Sequence, residues 1–164
     1  MENSENKLVI RPVRASDYDW IAGFLIEQWG SVKMISRGHI HYANTLPGLV
    51  ATTDEQPVGL ATYNIDGDQC ELVTINSLLP EQGIGIDLVN IVVSIAREKR
   101  CKRVWLITTN DNMKAIRFYQ KKGFQLKAIY PGAIERSRKL KPEIPLSGID
   151  GIPIKDEIEM EFIL

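Results

Sequence analysis

Gln82-Gly83-Ile84-Gly85 sets two glycines one residue apart, just ahead of Leu88, Val89, Ile91, Val92, Ile95 and Ala96 at helical spacing. Glycine is the poorest ordinary helix former, so this start is weak unless something must come close to the backbone. First-turn N–H groups have no helical partner and sit at the positive end of the helix dipole, which suits a pyrophosphate. The same residues also describe a tight strand-to-helix turn with no ligand. They are too few for a dinucleotide fingerprint, and no Lys-Ser/Thr follows as in a P-loop. Upstream, Glu71 lies in the run Cys70 to Ser77. Alternation would group Glu71, Val73 and Ile75 on one face and Leu72, Thr74 and Asn76 on the other. A carboxylate beside two branched apolar side chains is more than a random surface charge; a solvated glutamate near a hairpin is the alternative. His39 and His41 share a face if their stretch is extended. With neither carboxylate nor cysteine near them in sequence, they make a poor metal site, and His39 is read as a substrate-site or loop residue.

The elements that would carry these residues are legible along most of the chain. Leu8 to Pro12 reads as a short strand closed by Pro12, and Ser16 with Asp19 as the capping box of a helix bearing Trp20, Ile21, Phe24 and Leu25. Gly30 to Pro47 has no clear period and reads as a short helix or an irregular lid. Gly48–Thr53, Pro57–Ile65 and Cys70–Ser77 form a meander, with Asp66-Gly67-Asp68 as a hairpin signal. The apolar helix runs from Ile84 to Lys99. A strand from Arg103 to Thr109 and a helix from Asn112 to Lys122 follow, the helix stopped by Gly123. Phe124 to Tyr130 is a further strand. In Glu157-Ile158-Glu159-Met160-Glu161-Phe162 acids alternate with apolar residues, predicting one wet face and one buried face. A meander feeding one β-α-β unit is an α+β arrangement with a mixed, mainly antiparallel sheet.

Asn110-Asp111-Asn112-Met113-Lys114-Ala115-Ile116-Arg117-Phe118-Tyr119-Gln120-Lys121-Lys122-Gly123-Phe124 resembles the Asn…Ala…Phe-Tyr…Gly-Phe signature of the GNAT superfamily of acyl-CoA-dependent N-acyltransferases. The Ile10-Arg11-Pro12 start is similar too, and the resemblance spans about Leu8 to Tyr130. It implies a β-α-β acyl-CoA-binding core flanked by helices, acetyl-CoA as co-substrate and no metal. The amides of Gln82, Gly83, Ile84, Gly85 and Ile86 would cradle the pyrophosphate. Asn76, Ser77 and Leu78 would supply backbone groups to the pantetheine arm. Asn112 would cap its helix, bond that arm, or both. Tyr119 would protonate the departing sulfur, and Glu71 matches the strand glutamate that some relatives use as base. Pro80 stands where the family usually has Arg or Gln, and Ile86 where it often has Ser or Thr. The implied reaction is acetyl transfer to a primary amine of a small molecule or peptide by direct attack in a ternary complex. The alternative is a non-catalytic acyl-CoA-binding or regulatory module.

Residues 131–156 form a long insertion between the last two strands, expected to be an ordered lid over the acceptor site. Arg136, Arg138 or Lys139 within it would meet an acidic group on the substrate or a CoA phosphate; a solvated basic loop is the other reading. The 164 residues fit one domain, with 1–6 as a disordered tail. A net charge of −1 argues against a nucleic-acid binder, and no apolar run reaches membrane length. Cys70 and Cys101 form no CxxC pair, so neither zinc nor a disulfide framework is indicated. The polar start predicts a cytoplasmic protein. The alternating final strand is available to pair across a homodimer.

Overall fold

The computed structural model describes residues 7–164; the expected disordered tail over 1–6 lies outside them. In chain order the elements are β1 (Leu8–Pro12), α1 (Tyr18–Trp29), β2 (Lys33–Ser36), β3 (His39–Tyr42), β4 (Gly48–Thr53), β5 (Gln56–Asp66), β6 (Gln69–Ser77), α2 (Ile84–Glu98), β7 (Arg103–Thr109), α3 (Met113–Lys121), β8 (Gln125–Tyr130), α4 (Ala133–Leu140) and β9 (Glu157–Ile163). Seven strands form one sheet in the order β1-β4-β5-β6-β7-β9-β8, and β2 and β3 form a separate hairpin. Only β6 and β7 pair in parallel, with α2 as the crossover between them. The sheet is therefore mixed and mainly antiparallel, as expected.

Two cores lie on opposite faces of the sheet. Leu88, Val89, Val92 and Ala96 of α2 pack with Leu72, Val104, Leu106, Met160 and Tyr119, so α2 and α3 cover one face. Ile21, Phe24 and Leu25 of α1 pack on Val50 and Leu60 of the other, with Met34 of β2 against them. The front of α1 is fixed differently from the Ser16–Asp19 expectation. Asp17 is the N-cap residue, its carboxylate accepts from the Arg14 amide at 2.7 Å, and Arg11 grips it through two bonds of 2.7 and 2.8 Å. Charge-assisted pairing outbids a serine hydroxyl here.

Segment 30–47, expected as a short helix or an irregular lid, holds the β2–β3 hairpin followed by a single 3-10 turn at Ala43–Thr45. Arg37 and Gly38 occupy the hairpin's two-residue turn with φ of +49° and +79°, the geometry that matches strand twist. The final strand also departs from expectation. Ile158, Met160 and Phe162 face the α2 core, but Glu157, Glu159 and Glu161 on the opposite face are buried too. Their wet side is covered by the hairpin, whose Arg37 amide donates to Glu157 at 3.0 Å and whose guanidinium lies 3.4 Å from Glu159. Arg103 bonds both Glu159 and Glu161 at 2.8 Å. β9 lies between β7 and β8, so both its edges are used and it is not free to pair across a dimer.

Candidate functional site

β6 and β7 pair only through Gln69↔Arg103, Cys70↔Val104 and Glu71↔Trp105. Beyond Glu71 the two strands part. β7 continues along β9 to Thr109, while β6 stays with β5 to Ser77 through a register shift between Thr62 and Tyr63. That shift is a β-bulge leaving Val73 as the extra residue, and bulges bend and twist a strand away from its neighbour. The facing edges of the two strands thus lose their ladder partners, leaving N–H and C=O groups that need others. Because the strands are parallel, the helices that follow them both begin at the open end. The carboxyl ends of diverging parallel strands are where α/β sheets bind ligands.

The bulge also overturns strict alternation. Glu71 faces the hairpin side and Leu72 the α2 core, but Ile75 packs on the α2 side and Thr74 bonds Thr62 at 2.6 Å. Glu71 and Ile75 are therefore on opposite faces.

A cavity of about 530 Å³ opens at the parting, with Glu71, Val73, Ile107 and Thr109 in its wall. Trp29, Met34 and Ser36 close it from α1 and β2; Ile134, Ile144, Ile149 and Ile154 close it from α4 and the segment beyond. Residues 131–156 thus wall the cavity with helix α4 and an ordered loop. Glu71 is 5% exposed. Its carboxylate accepts from Ser36 Oγ at 2.5 Å and faces His41 Nε2 at 2.9 Å. Burial pushes this carboxyl above the usual carboxylate range, and the bonds to Ser36 and His41 offset only part of that effect. Glu71 also borders an outer pocket of about 440 Å³ that includes His39, His41 and Trp105. His39 and His41 do share a face. His41 is the one on the carboxylate, while His39 is exposed at the pocket rim.

Among the cofactor-site candidates, Gly83 is the N-cap of α2 with φ +73°, and no side chain caps the helix. An added Cβ would meet nothing within 4 Å at Gly83, and only the Phe118 ring at 3.7 Å at Gly85. The first-turn amides are therefore uncovered, with open space before them, which fits a pyrophosphate. Ile84 is buried in the α2 core. Ser77 Oγ bonds within its own turn to the Leu79 backbone, and Asn76 Oδ1 accepts from Trp29 Nε1 at 2.9 Å. Asn112 caps α3 by accepting from the Ala115 amide at 3.1 Å and also lines the cavity. Tyr119 is 6% exposed, its ring edge-on to Phe118 and Phe124. It belongs to the α2-side core rather than to the cavity wall, and burial raises its phenol well above the ordinary value.

The basic residues of the insertion are placed apart from one another. Arg138 donates to the carbonyls of Ile144 (3.3 Å), Pro145 (2.7 Å) and Ile154 (2.5 Å), so its guanidinium ties the loop down. Arg136 is exposed and borders a pocket of about 300 Å³ at the hairpin tip. The basic residue that reaches the cavity is Lys141, which the sequence reading did not single out. Ser36 and Glu157 were missed likewise. The hairpin's alternation around Arg37-Gly38 was the available signal for Ser36; none existed for Lys141.

Among the described residues, no group of three or more His, Cys, Asp or Glu is placed to hold a metal, and no helix is long and apolar enough to cross a membrane. The model of the acetyltransferase (GNAT) family matches residues 16–124. The uncharacterized protein YdhI of Bacillus subtilis (strain 168) is 39% identical over 152 residues, covering 92% of this chain and 95% of that protein. YxbD of the same organism is 40% identical over 141 residues, or 85% and 89%. A GNAT family acetyltransferase from Elizabethkingia anophelis, solved with acetyl-CoA bound, matches with TM-score 0.70 and 23% identity over 98% of this chain and 100% of that one. The ribosomal-protein-S18-alanine N-acetyltransferase of Escherichia coli matches with TM-score 0.68 and 18% identity over 96% and 94%. At these identities the structural likeness is one of fold. With the family model matching residues 16–124, about two thirds of its length, the chain belongs to the GNAT acetyltransferase family.

Proposed function

We propose that this protein is an acetyl-CoA-dependent N-acetyltransferase acting on a primary amine that enters the cavity beside Glu71. The observation that carries the reading is the parting of β6 and β7 beyond Glu71↔Trp105, with a buried carboxylate at its apex and an uncapped helix start at its open end. The amides from Gln82 to Ile86 hold the diphosphate. The exposed edges of Val73 to Leu78 offer ladder-type bonds to the pantetheine arm, and Asn112 stands at the mouth. Bound there, acetyl-CoA supplies an activated acetyl thioester.

Glu71 takes one proton from the acceptor's ammonium, and the neutral nitrogen bonds the acetyl carbon. As the C–S bond breaks, a second nitrogen proton passes to the departing sulfur, leaving an amide and a free thiol. Ser36 and His41 hold the carboxylate in position, and its raised basicity suits it to a proton from an amine. Tyr119 packs in the α2-side core and is absent from the cavity wall, so no proton transfer is assigned to it. Burial raises its phenol well above the ordinary value, which makes it a poor proton donor to a thiolate. Gly85 lies beside Phe118, so the glycine turn and the tyrosine helix are in contact.

The test is thiol release from acetyl-CoA across a panel of primary amines, run beside calorimetric titration of CoA. Amine-dependent thiol release with mass-confirmed N-acetyl product is expected. CoA binding without turnover on any amine would favour a non-catalytic binding module instead.

A further inference from the structure

Lys141 is 6% exposed, lines the Glu71 cavity and has no carboxylate within ion-pair distance among the described residues. Its Nζ has one polar neighbour, the Met34 thioether at 3.9 Å. Glu143, exposed at the rim, adds only a longer-range attraction. A buried ammonium left in this state is costly, and such a cost in a cleft marks a group awaiting a ligand's charge. Glu71, Glu157 and Asp111 are also buried in this wall; among the described residues only Glu71 of the three has a basic side chain, His41, within ion-pair distance. Glu157 accepts from Ser137 and the Arg37 amide, and Asp111 from Thr109 and the Ile149 amide. The cavity wall therefore carries buried carboxylates, one lysine with no anionic partner among the described residues, and the apolar side chains of Ile134, Ile144 and Ile154.

The spacing fits one molecule. Met34, beside the ammonium, and Ser36, on Glu71, point the same way along β2, about 7 Å apart by strand rise. A lone lysine balances one negative charge, which matches a carboxylate better than a phosphate dianion needing several donors.

We propose that Lys141 anchors a carboxylate carried by the acceptor, so that the enzyme acetylates the amino group of an amino-carboxylic acid with an apolar side chain. This deepens the acyltransferase reading above and rests on it. The ammonium of the acceptor faces Glu71, its carboxylate meets Lys141, and its side chain lies on the isoleucine wall.

The experiment compares leucine and phenylalanine with 3-methylbutylamine and phenethylamine, which lack the carboxylate, in wild type, K141M and K141R. Wild type is expected to favour each amino acid over its decarboxylated partner by at least about tenfold in kcat/KM. K141M should lower kcat/KM for the amino acids by about 10- to 100-fold while leaving the plain amines nearly unchanged, and K141R should recover part of the loss. Leucine should raise the melting temperature of wild type and not of K141M. K141Q replaces K141M if the latter does not fold. Plain amines acetylated as well as amino acids, or K141M depressing both alike, would overturn the anchor and leave the acyltransferase reading standing. No turnover on any amine would overturn both.

Discussion

Glu71→Gln separates chemistry from packing at this site. Glutamine keeps the shape, its carbonyl can still accept from Ser36, and its amide can face His41. What disappears is the negative charge and the ability to take a proton. General-base catalysis contributes on the order of 10²- to 10⁴-fold, so kcat/KM should fall by about 10²- to 10³-fold, equivalent to ~3–4 kcal/mol of transition-state stabilisation. Stability should move the other way. The folded carboxyl titrates above its ordinary value of 4.5 because it is buried. The native state therefore keeps that proton to higher pH than the unfolded chain does. Whatever stability the group contributes is complete below 4.5 and is lost as pH rises through the folded value. At neutral pH the wild type carries a buried carboxylate that the amide relieves, so E71Q should melt at the same temperature or higher, the difference narrowing as pH falls toward 4.5. Thiol release across pH, with melting curves in the same buffers, reads both effects. The acidic limb of the wild-type profile should lie above the ordinary carboxylate range and vanish in E71Q. Full turnover in E71Q, or a large drop in its melting temperature, would refute the reasoning.

Three further outcomes follow from the geometry. Gly85→Ala has room for its Cβ, with Phe118 at 3.7 Å, and removes a poor helix former; it should gain up to about 1 kcal/mol of stability while CoA affinity falls, seen by melting and calorimetry. Arg138→Ala leaves three loop carbonyls without their donor; segment 141–156 should exchange amide hydrogens faster and KM for the amine should rise, with CoA affinity unchanged. Arg11 holds the Asp17 carboxyl below the usual carboxylate range, so Asp17→Asn should cost about 1–3 kcal/mol near neutrality. That cost should shrink as pH falls below 3.8 through the lower folded value, where the wild-type carboxyl protonates as well; urea unfolding at several pH values checks it.

What the sequence made legible was whatever depends on local period and on short motifs. The apolar helix behind Gly83 and Gly85, the strand at Arg103, Asn112 as a cap and Gly123 as a stop all follow from neighbours in the chain. What it hid depends on partners far away. Glu157, Glu159 and Glu161 look like a solvated face because alternation cannot report that Arg37, more than a hundred residues earlier, lies over them. The Val73 bulge has no composition signal, yet it moves Ile75 across the sheet and opens the site. Arg138 and Lys141 are alike in charge and close in sequence. One caps loop carbonyls and the other faces the cavity, because helix α4 ends between them and the chain turns. The Arg37-Gly38 turn was readable in principle, since a two-residue turn with glycine between alternating segments is a hairpin signal.

The central claim is that the open end between β6 and β7, capped by the bare start of α2, receives an acyl carrier. A crystal structure with CoA tests it most directly. The account predicts the diphosphate against the amides of Gln82 to Ile86 and the pantetheine arm along the free edge of β6, its sulfur directed toward Glu71. A carrier seated on any other face, or a diphosphate away from the start of α2, would contradict it.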